Sequence, residues 1–445
     1  MSDQGEGMSP KKVFVRTWGC QMNEHDSERM VGILQERGYV LCGTPEEADL
    51  ILLNTCSIRE KSEHKVFSEL GRYAELKKEN PKLVIGVAGC VAQQEGSRIA
   101  EKSPWVSMVF GSKHIQDLPL MMERVGEQKT VVMTEDLKGF APTLPARRKD
   151  PIRAWVIITE GCENFCSFCV VPYTRGRERS RPLREVVEEI MGLARQGYKE
   201  VTLLGQNVNS YGRTSGEGVD FPDLLQHIHA IEGIERIRFM TSHPNALTPK
   251  MIQALANIPK VCEHLHLPLQ SGSDRVLEKM NREYTYSEYV QRVKALRQAI
   301  PDIALTTDLI VGFPGETEGD FLQTLRAVEE IQYDNAFAFT YSKRPNTPAL
   351  TMDGHLPEEV KAERLRRLLA VQKEVTLRKN RAYWNREVEL LVEGRSKTHQ
   401  ERLTGRTRTN LVVNFDGPEA LIGQRVRVKI IQAKASSLEG MMILK

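Results

Sequence analysis

Three short apolar runs, VFVRTWG, LILLNT and VIGVAG, fall in the first ninety residues and are separated by stretches with helical spacing at 27–37 and 60–78. Continuous apolar runs of roughly four to eight residues between turn signals read as strands buried on both faces, and their alternation with helices predicts an open α/β domain. A Pro-bearing stretch at 134–151, with Pro142, Pro145 and Pro151, reads as a linker. Six further runs follow: WVIITEG, EVTLLG, RIRFMTS, HLHLPLQ, LTTDLIVG and NAFAFTY, with helices expected at 182–196, 222–231, 248–257, 286–299 and 317–331. Six βα units in series predict a partial (β/α)6 barrel with its chemistry at the carboxyl ends of the strands. Pro357 then opens a long amphipathic helix, with Glu358 and Glu359 in the first turn and Leu365, Leu368, Val371 and Val375 as one apolar stripe for core packing. Past Trp384, the segments EVELLVEG, ERLTGRTRTN, LVVNF, QRVRVKII and EGMMIL predict a small β-barrel of the oligonucleotide-binding kind. The expected fold class is α/β, in three parts.

Composition changes this picture little: 445 residues with 40% apolar and 27% charged side chains are ordinary for a globular chain. No apolar run approaches the roughly 20 residues of a membrane span, and MSDQGEGMSPKK has neither an apolar h-region nor an Arg-rich leader pattern, so a cytoplasmic protein without a membrane partner is expected. Charge is more informative. The net of +3 divides into +10 for residues 361–445, with 19 Lys and Arg against 9 Asp and Glu, and −7 for the rest. A basic segment on a nearly neutral body suits a polyanion such as nucleic acid, or forms a solvated charged surface.

Eight cysteines are too few for a disulfide framework in a chain of this length. Cys20, Cys56 and Cys90 each follow one of the first three predicted strands, where ligands of parallel sheets bind, so three distant thiols are expected to converge. The alternative for each is a small buried hydrophobe. Cys42 and Cys262 have no such placement. Just after the first barrel strand, Cys162, Cys166 and Cys169 form a CxxxCxxC on a short loop. Three thiolates are one fewer than a closed zinc site or a fully ligated 4Fe–4S cluster requires. An iron left open can chelate the amino and carboxylate groups of S-adenosylmethionine and place its sulfonium for one-electron cleavage. A zinc knuckle would need a fourth ligand, and no further His or Cys lies nearby.

With six cysteines in these two patterns, the chain resembles the radical S-adenosylmethionine superfamily, and within it the methylthiotransferase branch, over nearly its whole length. The resemblance implies a methylthiotransferase domain at 11–127, a radical core at 148–376 and an RNA-holding TRAM domain at 377–445. It implies two 4Fe–4S clusters, one on Cys162, Cys166 and Cys169 and an auxiliary one on Cys20, Cys56 and Cys90. S-adenosyl-L-methionine would be both methyl donor and radical source. Contacts to it are implied for Phe168 in the cysteine loop, for Gly205, Gln206 and Asn207 after the second barrel strand, and for Asp308 and Gly312 of DLIVGFPGE; Ser242 and Gln270 end intervening strands. A turn or helix cap is the alternative role for any of them.

TRGRERSRP at 174–182, LLGQNVNSY at 203–211, MNREYT at 280–285 and YSKRPNTPA at 341–349 resemble the tRNA-modifying members. The group that modifies a ribosomal-protein aspartate usually has an acidic residue where Arg344 stands. Arg175, Arg177, Arg179, Arg181 and Arg344 are expected to meet RNA phosphates, or else to pair with neighbours such as Glu178 and Glu185. Asn346 stands where the family generally has Gly, and Asn tolerates the left-handed conformation. The implied activity of a tRNA methylthiotransferase is replacement of hydrogen at carbon 2 of N(6)-dimethylallyladenosine, beside the anticodon, by a methylthio group. General acid–base catalysis addresses proton transfer and not homolysis of an aryl C–H bond, so a radical source is needed. One S-adenosylmethionine is expected to methylate sulfur at the auxiliary cluster and another to yield the radical. The implied partners are tRNA with isopentenylated adenosine and an external electron donor, for a monomeric enzyme. Two other readings are a ribosomal-protein aspartate methylthiotransferase and a non-enzymatic RNA-binding iron–sulfur scaffold.

Overall fold

A computed structural model describes residues 10–56, 60–135, 137, 140, 144–397 and 399–443, without the side chains of 60–64. The opening nine residues and Pro142 of the expected linker lie outside the described residues. The chain divides into two compact units. The first comprises 1–150, 160–163 and 170–179, and the second 151–159, 164–169 and 180–445.

The first unit is built on six parallel strands: β1 (Lys12–Thr17), β2 (Val40–Leu41), β3 (Leu50–Thr55), β4 (Val84–Gly89), β5 (Met108–Phe110) and β6 (Val131–Met133), in the order β2-β1-β3-β4-β5-β6. Successive side chains of a strand point to opposite faces. Leu50 and Leu52 therefore join Met30, Leu34 and Phe110 on one side, while Ile51 and Leu53 join Leu70 and Tyr73 on the other. Two-sided burial explains why β3 reads as an unbroken apolar run. The first helix runs Gln21–Gln35, six residues earlier than its apolar spacing indicates. Its opening turns are polar yet interior, with Asn23, Asp26, Ser27, Glu28 and Arg29 all buried. The described end of the expected linker is fastened along that helix: Arg147 N donates to Glu28 O (2.9 Å) and Lys149 N to Glu28 Oε1 (3.2 Å).

In the second unit β7 (Arg153–Ile157) is followed by the short pair β8 (Thr159–Glu160) and β9 (Arg179–Ser180), where the chain passes between units. The barrel continues with β10 (Glu200–Leu204), β11 (Arg236–Phe239), β12 (His264–His266), β13 (Ala304–Val311) and β14 (Asn335–Thr340). Two parallel ladders, β7-β10-β11 and β12-β13-β14, are joined by a bridge between Ile237 and Val261 and by the bond from Cys262 N to Ile237 O (3.0 Å). The result is the expected partial six-stranded barrel, against which helices Leu183–Arg195, Phe221–His229, Pro249–Asn257, Tyr286–Ala299 and Glu318–Ile331 bury Val186, Leu224, Ile252, Leu296 and Phe321. Capping boxes at Asp220, Thr285 and Thr317 start three of these helices where the sequence places them. Helix Glu358–Arg381 packs through Leu368 and Val375, with Leu365 and Val371 beside them.

Strands β15 (Glu387–Arg395), β16 (Leu403–Thr407), β17 (Val412–Phe415), β18 (Arg425–Ala433) and β19 (Leu438–Met442) close a barrel in the order β15-β16-β17-β19-β18. Buried arginines of β11 hold this barrel. Arg236 Nη1 donates to Arg406 O (2.7 Å), and Arg238 donates to Arg408 O (2.8 Å) and Thr407 O (2.7 Å).

Candidate functional site

In the first unit, Thr17 of β1 lies opposite Asn54 of β3, and Thr55 of β3 lies opposite Gly89 of β4. The three strands thus end side by side, and Cys20, Cys56 and Cys90 follow within three residues. Cys20 is the N-cap of helix Gln21–Gln35, and Cys90 is the first residue of helix Cys90–Glu95. The loop approach is close: a Cβ at Gly19 would stand 2.6 Å from Cys56 Cβ, and one at Gly89 (φ +91°) 2.3 Å from Thr55 O. Beneath the thiols Asn23 Nδ2 donates to Asn54 Oδ1 (3.2 Å) and Thr55 O (3.1 Å), while Asn54 Nδ2 donates to Asn23 O (2.7 Å).

The Cys20 thiol is drawn down to about 6. Hydrogen bonding with Cys56 is the main cause; burial opposes it, and the Arg175 charge and the backbone N–H groups of Asn23 and Met22 assist. A thiol that ionises readily is the form that binds metal. Among the described residues no group of three or more Cys, His, Asp or Glu side chains is set to hold one metal ion. A cubane cluster is a different test, because its thiolates bind different irons and stand farther apart than the ligands of a single ion. Three cysteines outside any disulfide at the carboxyl ends of neighbouring strands, one of them favouring thiolate, with buried Arg175 in the same unit, fit a polynuclear anionic group.

The CxxxCxxC loop divides between the units. Cys162, in the first, is anchored through its N–H to Gly176 O (3.1 Å). Cys166 and Cys169, in the second, are tied by Cys169 N to Cys166 O (2.9 Å). Residues 279–282 hold that half of the loop. Ser167 N donates to Met280 O (3.0 Å), Asn281 Nδ2 donates to the carbonyls of Asn164 (3.3 Å) and Phe165 (3.1 Å), and Ser167 Oγ donates to Lys279 O (2.7 Å). Buried Arg282 donates through Nη1 to Cys166 Sγ (3.1 Å) and is itself oriented by Tyr284 OH (2.9 Å) and Pro268 O (3.2 Å). MNREYT thus grips the thiol loop, a role the sequence reading did not give it.

The positions expected to contact S-adenosylmethionine separate into two groups. Gln206 Oε1, Asn207 Oδ1 and Ser242 Oγ are buried at the carboxyl ends of β10 and β11 with no hydrogen-bond partner. Each would cost about 1–3 kcal/mol if left unmet, so this end of the barrel suits a polar ligand. Asp308 Oδ2 faces His266 Nε2 (3.4 Å), and Phe168 packs against Val276, Met280 and Phe313. Packing accounts for the other group. Gly205 faces Thr159 Oγ1 with 1.9 Å for a Cβ, Gly312 faces the Lys361 stem with 2.2 Å, and Gln270 (φ +74°) bonds β13 through its backbone. A cavity of about 460 Å³ lies elsewhere, toward the amino ends of β12 and β14, lined by His264, Phe337, Gln372, Arg406 and Asn410.

Most of the arginines expected at phosphates are not on the surface. Arg175 is 4% exposed and pairs with Asp26 Oδ2 (3.0 Å). Arg181 is also 4% exposed, against Glu185 (3.4 Å) and Glu189 (2.5 Å). Arg344 is buried, and Arg179 donates to Leu137 O (2.8 Å). Phosphate binding needs an accessible guanidinium; only Arg177 has one, its side chain 79% exposed beside Glu163 (3.5 Å). Cys262 is a buried bystander whose thiol is pushed up by burial, and Cys42 donates to Thr44 O (3.4 Å). Asn346 adopts φ +63°, the left-handed conformation expected of it.

Residues 12–111 match the model of the uncharacterized protein family UPF0004, 156–328 the radical SAM superfamily and 381–443 the TRAM domain. The chain is 48% identical over 438 residues to the tRNA-2-methylthio-N(6)-dimethylallyladenosine synthase of Moorella thermoacetica, covering 97% of this chain and 99% of that one. It is 47% identical to the synthase of the same name from Carboxydothermus hydrogenoformans over 98% of this chain and 100% of that one. Among solved structures, the radical S-adenosylmethionine methyltransferase TsrM of Kitasatospora setae, with cobalamin and a 4Fe–4S cluster bound, shares the fold (TM-score 0.54, 15% identity, 77% of each chain). The cobalamin-dependent radical enzyme OxsB does so over 82% of this chain and 56% of its own (TM-score 0.53, 14% identity). Near-half identity along almost the entire length, in a chain whose sequence runs from an open sheet through a partial barrel to a closed five-stranded barrel, is decisive: the chain belongs to the tRNA-2-methylthio-N(6)-dimethylallyladenosine synthase family of radical S-adenosylmethionine methylthiotransferases.

Proposed function

We propose that Cys162, Cys166 and Cys169 hold one 4Fe–4S cluster, and Cys20, Cys56 and Cys90 a second, in an enzyme that converts N(6)-dimethylallyladenosine beside the anticodon of tRNA to its 2-methylthio derivative. The observation that carries this reading is the pairing of the strand-end thiol trio with a separate CxxxCxxC in a chain nearly half identical to named synthases. Those clusters and S-adenosylmethionine supply the one-electron chemistry and the methylthio sulfur that protein side chains lack.

The chain's own residues position these groups. Arg282 donates a charge-assisted hydrogen bond to the Cys166 sulfur, and Asn281 and Ser167 fix the loop around it. Gln206, Asn207 and Ser242 offer unmet oxygens to the amino-acid or ribose part of the cofactor. Asp308 and His266 form a polar pair on the barrel strands, and the His266 ring lies edge-to-face with Phe337 (5.8 Å). Among the first four sequence-predicted arginines, only Arg177 remains as an exposed phosphate contact. In functional terms, 11–127 would carry the auxiliary cluster, 148–376 the radical chemistry and 377–445 the RNA. No helix among the described residues is long and apolar enough to cross a membrane. A cytoplasmic monomer served by an external electron donor completes the reading.

The test is incubation of anaerobically reconstituted enzyme with reductant, S-adenosylmethionine and isopentenylated tRNA, followed by mass spectrometry of the nucleosides. The methylthio nucleoside is expected. Release of 5′-deoxyadenosine without it would refute the substrate, and no release would leave only the scaffold reading.

A further inference from the structure

We infer that Arg175 is a positioning residue of the thiol trio: a buried guanidinium, aimed by Asp26, that balances the negative charge gathered at Cys20, Cys56 and Cys90 and thereby sets the reduction potential of the centre they hold. This rests on the reading that the trio binds an iron–sulfur cluster.

The basis is the course of the chain. Residues 170–179 follow the CxxxCxxC loop in sequence yet fold into the first unit, with the trio. There the short helix Val171–Thr174 packs against helix Cys90–Glu95, which begins with one of the three thiols, and Arg175 is its C-cap. The Arg175 Nη2 to Asp26 Oδ2 bond (3.0 Å) joins side chains only 5% and 2% exposed, and Asp26 lies on the helix that Cys20 caps. Asp26 has a second cation, Arg29 Nη1 at 3.7 Å, so Arg175 is not its sole counter-charge. The guanidinium is thus tied to the helix that Cys20 caps and carried at the end of a turn packed on the helix that Cys90 begins. A buried unit charge acts through a low dielectric, where adding an electron to a nearby anionic group depends strongly on it. Charge and hydrogen bonding near the sulfurs are established levers on cluster potential.

The test uses the full chain with Cys162, Cys166 and Cys169 all replaced by Ala, reconstituted anaerobically so that only the trio can carry a cluster. Iron per chain and the reduction midpoint, followed by electron paramagnetic resonance, are compared for this parent and for added Arg175→Lys, Arg175→Met and Arg72→Met, the last at a surface ion pair with Glu46. Arg72→Met should match the parent. Arg175→Lys should keep the iron and a midpoint near it. Arg175→Met should move the midpoint to more negative potential or lose iron that Arg175→Lys retains. Full iron with an unshifted midpoint in Arg175→Met would overturn the inference, as would equal iron loss in the Lys and Met variants, which would mean packing alone. A parent without iron would overturn the cluster reading beneath it, whereas a loaded parent with an unresponsive Met variant would overturn only the role of Arg175.

Discussion

Arg282 and Cys166 are 116 positions apart in sequence, yet their side chains meet in a buried hydrogen bond of 3.1 Å. Groups behind a metal ligand commonly change affinity or activity by about 10–100-fold when removed. Arg282→Met is therefore expected to cut S-adenosylmethionine cleavage at least roughly tenfold, with Arg282→Lys intermediate and iron at the other trio unchanged. Cleavage at the parental rate would contradict the assignment. The strand-end placement of Cys20, Cys56 and Cys90 was legible because each follows a buried apolar run. Arg282 was not, since its task depends on a tertiary contact that no local spacing encodes. The inward turn of Arg175 was not legible for the related reason that a run of arginines looks basic from outside, whereas its burial beside Asp26 depends on the fold.

The barrel strands and their main helices were legible at the scale of elements because each carries a sustained apolar period and several begin at capping boxes. The exceptions have physical causes. β5 and β6 have three residues each and β2 has two, too few for periodicity to register, so a six-stranded sheet read as three. Helix Gln21–Gln35 starts earlier than its apolar spacing indicates because its first turns bury polar residues that find partners in the fold: Asn23 and Ser27 at Asn54, Asp26 at Arg175 and Glu28 at Lys149. Burial of paired polar side chains thus inverted the usual hydrophobic pattern. The β4 end has its own test. Gly89→Ala adds a Cβ 2.3 Å from Thr55 O at a φ of +91°, and should destabilise the first unit by roughly 2–4 kcal/mol and lower its iron content. A melting temperature and iron content equal to the parent's would show that the strand ends tolerate rearrangement.

Across the whole molecule, the basic tail stands out in sequence, but much of its charge is already engaged. Arg406 faces Glu393 inside the small barrel (3.0 Å), while Arg408 faces Glu263 (2.7 Å) and Arg425 faces Glu235 (2.8 Å), so these last two cations fasten the small barrel within its unit. The outer side of β18 offers RNA a more open handle: Arg427, 3.6 Å from the exposed Glu387, is 67% exposed, Lys429 follows two residues on, and Trp384 is 67% exposed before β15. Arg427→Gln with Lys429→Gln should weaken tRNA binding and reduce the salt slope of log affinity by about 1–2. An unchanged slope would place the RNA elsewhere. The central claim, two thiol trios each holding a cubane, is tested most directly by iron and zinc analysis of the anaerobically reconstituted chain beside its two triple Cys→Ala variants. The account predicts about eight iron atoms per chain, falling to about four in either variant, with no zinc; zinc in place of iron, or about four irons already in the parent, would contradict it.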